Sequence, residues 1–522
     1  MNLQNIDNAK KKLAHYDPKS FTGIQNSFRF FTYRIEIGSF RHLENLNISF
    51  NHPVTVITGP NKIGKTSVLL LIACSHYNFL RYDSTKPETQ LRRHTWRDVL
   101  PFTAYETSNR DYFYKLFWRV GNDERQGEGK RLRRSRAWTG LGKASSDPRR
   151  INAQIREREV RLIDLERVLP VRNFSNSLLR KTSSGTRERV SQDIEQAFSY
   201  IFDLPGNIEI YKAGSHVNKF TFLINYSDEL YSSYNAASGE EALLNILQDI
   251  FDSPNDSLIL IDEIEAGFHP YIQRKLADII QYVSWTHKKQ FIITTHSPTL
   301  MSSFPQKSRV YIDINIDGTY RAIEKISVNA AFSKMDSVSY PLLQLYCEDD
   351  LAKFIIKSML IEINQEVKYF DRLINIICSG PVNQVKNDYN RHKRNYKQLK
   401  LKIGYACVFD GDYKDDPNYS SYFNNPNEFS FFLYPYMAPE KFLIQAYLRN
   451  HSNVPIQTAL NYSDHHALFQ EMVNQGLAPD QYTAIQLCWT EFKNGSEYNK
   501  LFSDFKNFIM SAAKYFSEIN EE

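Results

Sequence analysis

Gly59-Pro60-Asn61-Lys62-Ile63-Gly64-Lys65-Thr66 matches the phosphate-loop pattern GxxxxGK[ST] at every fixed position. The β-branched apolar run Val54-Thr55-Val56-Ile57-Thr58 precedes it, and Ser67-Val68-Leu69-Leu70-Leu71-Ile72-Ala73-Cys74 follows it as a buried helix. A strand, a glycine loop and a helix in this order let backbone N–H groups curl around a triphosphate at the positive end of the helix. Asn61, Lys62, Gly64 and Ser67 then line the phosphates together with Gly59. Lys65 reaches the β- and γ-phosphates of ATP, and Thr66 offers its hydroxyl to Mg²⁺.

A chain of 522 residues suggests about three domains. Apolar residues at 42% and charged residues at 24% describe an ordinary water-facing protein, and a net charge of +5 is mild for this length. The cysteines Cys74, Cys347, Cys378, Cys407 and Cys488 form no CxxC pair and sit in or beside apolar runs, which argues for reduced thiols and a cytosolic setting. The N-terminus lacks a signal-peptide core, and no run of about 18 apolar residues predicts a membrane span.

Residues 1–25 read as a polar appended arm, and the nucleotide-binding part as 26–325. Within it, Phe30–Ile37 and Leu43–Phe50 read as strands joined by a turn at Gly38-Ser39. Between 121 and 150 the composition turns to Gly, Ser and bases. From Lys130 to Arg150 only Asp147 opposes the positive charges, which predicts a flexible basic loop. Arg131, Arg133, Arg134 and Arg136 are its candidate contacts to nucleic acid, since such blocks bind phosphates by counterion release; a solvated loop is the alternative.

The apolar strand Leu258–Ile261 delivers Asp262 and Glu263 to its end, where Asp262 suits Mg²⁺ and Glu263 suits the base that activates water. Such pairs also serve as plain helix caps. Ser238-Gly239-Glu240 opens a helix before them, and His296 ends the strand Phe291–Thr295 after them. This order resembles an ABC-type ATPase head, with signature motif, acidic pair, D-loop at Glu265–Pro270 and switch histidine His296. The surroundings are similar to RecF-like and OLD-family ATPases. The resemblance implies that Ser238, Gly239 and Glu240 of one copy complete the ATP site of another, so that nucleotide drives self-association. Gln90 stands as the candidate for the glutamine loop.

A second constellation follows. Leu345-Tyr346-Cys347-Glu348-Asp349-Asp350 places Glu348 at a strand end and Asp350 at a helix start, and Tyr405–Phe409 leads into Asp410-Gly411-Asp412. Alternate strand residues share a face, so Asp410 and Asp412 can address one hard cation, with Glu348 added from a neighbouring strand. The same residues also suit a surface turn and a helix cap. The segment resembles a TOPRIM domain, a resemblance that implies Glu348, Asp410 and Asp412 as ligands of catalytic Mg²⁺ or Mn²⁺. Asp349 stands where that family usually has glycine, and Pro439-Glu440-Lys441 resembles a later OLD segment. His465-His466 reads as a solvated turn, and the region around Trp489 as helical without chemical signals.

The expected fold is α/β, an ABC-type ATPase head (P-loop NTPase), then a TOPRIM-like α/β domain over 340–445 and a helical part over 446–522. The implied function is ATP-governed cleavage of nucleic acid in anti-phage defence. The alternatives are a non-nucleolytic ATPase scaffold of Septu or retron type, holding a separate nuclease or reverse-transcriptase partner, and a RecF-like repair clamp.

Overall fold

Consecutive residues of Val54–Thr58 face opposite sides of a sheet, and all are buried, so helices or a second sheet must cover both faces. The computed structural model describes residues 3–17, 28–82, 91–100, 110–134, 137–143, 153–165, 186–204, 206–215, 219–227, 229–233, 238–265, 267–315, 318–336, 341–367, 369–398, 402–423, 425–461 and 464–519. The chain divides into two units, Met1–Ala331 and Phe332–Glu522.

In the first unit Val54–Thr58 lies inside an eight-stranded sheet. Its order is Tyr320–Glu324, Arg309–Ile314, Val54–Thr58, Gln290–Thr294, Leu258–Asp262, Ile155–Ile163, His76–Tyr82, Leu91–Arg93. The inner strands are parallel and the two edge pairings antiparallel. On one face Val54, Val56, Ile259, Ile261, Phe291 and Ile293 pack with Ile194, Leu243, Leu247, Leu276 and Ile280 of the helices Gln192–Phe202, Ser238–Phe251 and Pro270–His287. On the other, Ile57, Leu258, Leu260 and Ile292 meet the helix Lys65–Cys74 and a five-stranded antiparallel sheet that contributes Ile35, Ile37 and Leu116. A further four-stranded antiparallel sheet spans Thr186–Ser232.

Three expectations for this unit are corrected. The N-terminal arm is instead the helix Leu3–Ala14, docked by Ile6, Ala9 and Leu13. These residues recur every three or four positions and so form an apolar stripe amid polar neighbours. Lys10 Nζ donates to Asp278 at 2.7 Å on the helix beneath. The turn expected at Gly38-Ser39 falls at Arg41-His42, because the strand Phe30–Phe40 runs on through a bulge against Phe113. The first part of the basic stretch is β-structure instead: Asp123–Arg131 pairs with Tyr112–Val120, and Trp138–Gly140 adds a short strand. Its alternation buries Arg131 completely, which removes that side chain from any phosphate, while Arg133 and Arg134 are exposed. Arg136, Gln90 and the residues 144–150 lie outside the described residues.

The second unit is built on a parallel four-stranded sheet ordered Ile374–Cys378, Leu343–Cys347, Gly404–Phe409, Ser430–Phe432. Its core is rich in rings, among them Tyr346, Tyr389, Phe409 and Phe432. The helical C-terminal part is not a separate body. Phe516 of the helix Ser496–Ile519 lies against Gly404 and Tyr405, and Phe505 meets Phe431.

Two stability predictions follow from the docked N-terminal helix and its neighbours. Leu13→Ala removes a fully buried side chain and is expected to cost about 2–5 kcal/mol in the first unit's urea transition. An unchanged midpoint would mean the helix is not part of that unit's core. His52, whose ring nitrogens lie 3.0 Å from Leu13 O and 2.8 Å from Val54 O, is fully buried, as is His76. Burial, the leading cause, lowers their pKa values from 6.5 to about 4 and about 3. Below pH 6.5 the unfolded chain binds more protons than the folded one, so this stability is complete above pH 6.5 and is lost as pH falls toward 4. At pH 5 each histidine is expected to have lost about 2 kcal/mol relative to pH 7, and His52→Gln to show that much less pH dependence in the same transition. An equal pH slope in both proteins would contradict it.

Candidate functional site

Three parallel strands bring the nucleotide residues to one sheet edge. Their register pairs Ile292 with Thr55 and Leu260, so the residues after Thr58, Thr294 and Ile261 emerge together at the carboxyl ends. The loop needs glycine at position 64, where φ is 102° and a Cβ would lie 2.6 Å from Leu43. With the chain turned there, Lys65 points back and donates to Gly59 O and Pro60 O, each at 3.2 Å, and to His296 Nε2 at 2.7 Å. Burial lowers the Lys65 pKa, and the carboxylates of Glu263, Asp262 and Glu265 oppose that shift.

Thr66 Oγ1 donates to Asp262 Oδ2 at 2.8 Å, and Thr294 Oγ1 holds the other oxygen of Asp262. Adjacent ligands of an octahedral Mg²⁺ lie about 2.9 Å apart, so Thr66 and Asp262 already have the spacing that Mg²⁺ requires. Glu263 sits in a left-handed conformation, φ 53°, fixed by its N–H donating to Thr294 O at 3.1 Å. That turn leaves its carboxylate partly exposed, 3.5 Å from His296 Nε2. His296 is held by its own N–H, which donates to Glu265 at 2.5 Å. Its pKa is lowered, by burial first and by Lys65 second, so it presents a neutral ring.

An open cavity of about 510 Å³ is lined by Asn61, Lys62, Gly64, Lys65, Thr66, Ser67 and Glu263, and also by Arg41 and His42. Sequence reasoning missed the last two because it placed the turn at Gly38-Ser39; the only signal was two basic residues ahead of the phosphate-loop strand. Ser238, Gly239 and Glu240 open the helix Ser238–Phe251 and are not among the residues lining this cavity. Glu240 accepts from Tyr231 at 3.1 Å.

In the second unit the first strand, Leu343–Cys347, has Ile374–Cys378 on one side and Gly404–Phe409 on the other, so the chain reverses its direction of winding between them. Ligands of open parallel sheets settle in the crevice at such a switch point. Glu348 and Asp410 follow the carboxyl ends of those two neighbouring strands. Asp412 is not on the strand as expected: Gly411–Tyr413 is a 3₁₀ turn, and Asp412 reaches the group from it. The turn is tight because a Cβ on Gly411 would lie 2.3 Å from Leu433 O. The helix cap is Asp349, which accepts from Ala352 N at 2.8 Å, leaving Glu348 free of that duty. Asp410 is only 7% exposed, and Asp410 Oδ1 and Glu348 Oε2 are buried without a hydrogen-bond partner. Burial, then Glu348, Asp349, Asp412 and Glu440, pushes the Asp410 pKa well up, and burial with Asp349 and Asp412 raises Glu348 to about 7. Carboxylates this crowded suit a hard cation, which neutralises them and supplies the missing partner.

The turn His465–Ala467 corrects a further expectation. Its histidines are not merely solvated, since His466 Nδ1 lies 2.7 Å from Oε1 of the buried Glu440.

Residues 54–302 match the family described as "AAA domain, putative AbiEii toxin, Type IV TA system". The chain is 23% identical over 309 residues to Septu protein PtuA from Bacillus thuringiensis, covering 54% of this chain and 76% of that protein. It is also similar to the SMC head domain from Thermotoga maritima, with a TM-score of 0.34 and 13% identity over 56% of this chain and 98% of that one. The recombination mediator protein RecF-ATPrS gives a TM-score of 0.33 and 13% identity, with the same shares. Among the described residues no helix is long and apolar enough to cross a membrane. The segment 54–302 is thus similar to an AAA-type ATPase domain, and its strand, glycine loop and helix form a P-loop within an α/β fold.

Proposed function

We propose that the chain is an ATP-governed nuclease of anti-phage defence, in which the first unit binds and hydrolyses ATP and the second cuts phosphodiesters. The observation that carries the nuclease reading is that Glu348 and Asp410 follow two neighbouring parallel strands at the switch point, with Asp410 buried, one of its oxygens unpartnered, and Glu348 and Asp412 among the charges that raise its pKa. Mg²⁺ or Mn²⁺ held by these three would activate water and neutralise charge at the phosphate.

At the ATP site Glu263 takes the proton of the attacking water, and His296 orients that water or the γ-phosphate while Lys65 and Asp262 position the triphosphate. Ser238, Gly239 and Glu240 do not line the phosphate cavity of their own chain, so a second copy would supply them and the working form would be a head-to-head dimer. Nucleic acid would meet the exposed bases Arg133 and Arg134. A second reading, an ATPase scaffold that holds a separate nuclease or reverse-transcriptase partner, is favoured by one observation. Asp349 occupies the helix cap, at the position where the TOPRIM family that this segment resembles usually has glycine, and its charge adds to that around Glu348.

Glu263→Gln should bind ATP without turning it over and should sediment as a dimer with ATP, whereas Lys65→Ala should remain unassociated. Sedimentation of Glu263→Gln that is the same with and without ATP would refute the composite site. The carboxylate site is tested with purified full-length chain, Mg²⁺ or Mn²⁺, and labelled DNA and RNA. Cleavage that Asp410→Ala abolishes, with ATP turnover within about twofold of wild type, is the expected result. No cleavage of any substrate without an added nuclease would give the scaffold reading instead.

A further inference from the structure

The second unit holds a set of ligating atoms that the carboxylate chemistry above does not use. Glu440 lies in the first turn of the helix Pro439–Asn450 and is 4% exposed, and His465 and His466 come from the turn capped by Asp464. Glu440 offers one oxygen to each ring: Oε1 lies 2.7 Å from His466 Nδ1, and Oε2 lies 3.9 Å from His465 Nε2. One ligating atom from each of the three residues falls within 4.8 Å of the others. The ligand atoms of a tetrahedral ion with bonds of 2.0–2.1 Å are about 3.3 Å apart, and the two measured separations bracket that value.

The neighbouring Asp410 adds negative charge to the same region of the unit. Asp410, more than nine-tenths buried, has Oδ1 without a hydrogen-bond partner, and the Glu440 carboxylate is among the charges it faces. A buried carboxylate unpartnered on one oxygen, beside a second buried carboxylate, is costly unless positive charge joins them.

We propose that Glu440, His465 and His466 bind a divalent transition metal of the Zn²⁺ class, beside and chemically distinct from the all-oxygen group Glu348, Asp410 and Asp412. Imidazole nitrogen favours transition metals, whereas a carboxylate-only set suits Mg²⁺, so the two groups differ in the ion they select. Three protein ligands leave a tetrahedral ion one open position, the arrangement of a site that binds water or substrate rather than one that only staples a fold. The assignment stands whether or not the neighbouring carboxylates cut nucleic acid.

Cobalt(II) serves as the probe, added to metal-stripped full-length chain and followed by visible absorption. The expected result is one Co²⁺ per chain in a low-coordinate nitrogen–oxygen environment, displaced by Zn²⁺ and not by millimolar Mg²⁺. His465→Gln and His466→Gln are each expected to weaken Co²⁺ binding at least tenfold. Should His466→Gln lose its melting transition, His465→Gln, at the edge of the site, decides the matter. Absorption that persists in the histidine variants, or Co²⁺ that Mg²⁺ displaces, would leave only a histidine–glutamate ion pair and overturn the assignment.

Discussion

The Thr66–Asp262 hydrogen bond joins the phosphate loop to the acidic strand end, and it exists only because Val54–Thr58, Gln290–Thr294 and Leu258–Asp262 run parallel in one fixed register. A slip of one residue would turn every side chain of the strand to the opposite face. Because both faces are packed with Ile, Leu, Val and Phe, such a slip exchanges two filled cores and is opposed along the whole strand. The apolar register therefore sets the polar geometry. Thr294 grips Asp262 from the strand between, Glu263 is turned outward by its bond to the same residue, and His296 lands beside Lys65.

The second unit reaches a comparable result with less regular means. Its strands deliver Glu348 and Asp410 to adjoining carboxyl ends, but the third carboxylate comes from a 3₁₀ turn that only glycine permits. Burial and the neighbouring carboxylates raise the pKa values of Asp410 and Glu348, and the cost of keeping these two together must be offset by packing in the core.

Much of this was legible in the sequence where an apolar run ends in a chemical group. Val54–Thr58 before the glycine loop, Leu258–Ile261 before Asp262 and Tyr405–Phe409 before Asp410 each announce a buried strand and its cargo. The failures have a common cause, which is that pairing between distant segments is not encoded locally. Asp123–Arg131 is polar throughout and becomes a strand because Tyr112–Val120 offers it a partner. The helix Leu3–Ala14 is mostly polar and stays in place because the helix Pro270–His287 gives its narrow stripe a surface. Glu440 and His466 are 26 residues apart, and only the packing of the second unit brings them together.

The central claim is that strand register presets Thr66 and Asp262 as a Mg²⁺ pair for ATP. Calorimetric titration of ATP into wild type and Asp262→Asn, each with and without Mg²⁺, tests this directly. The account predicts that Mg²⁺ strengthens ATP binding by at least tenfold in the wild type and leaves Asp262→Asn near its metal-free affinity. The same Mg²⁺ dependence in both proteins would contradict it.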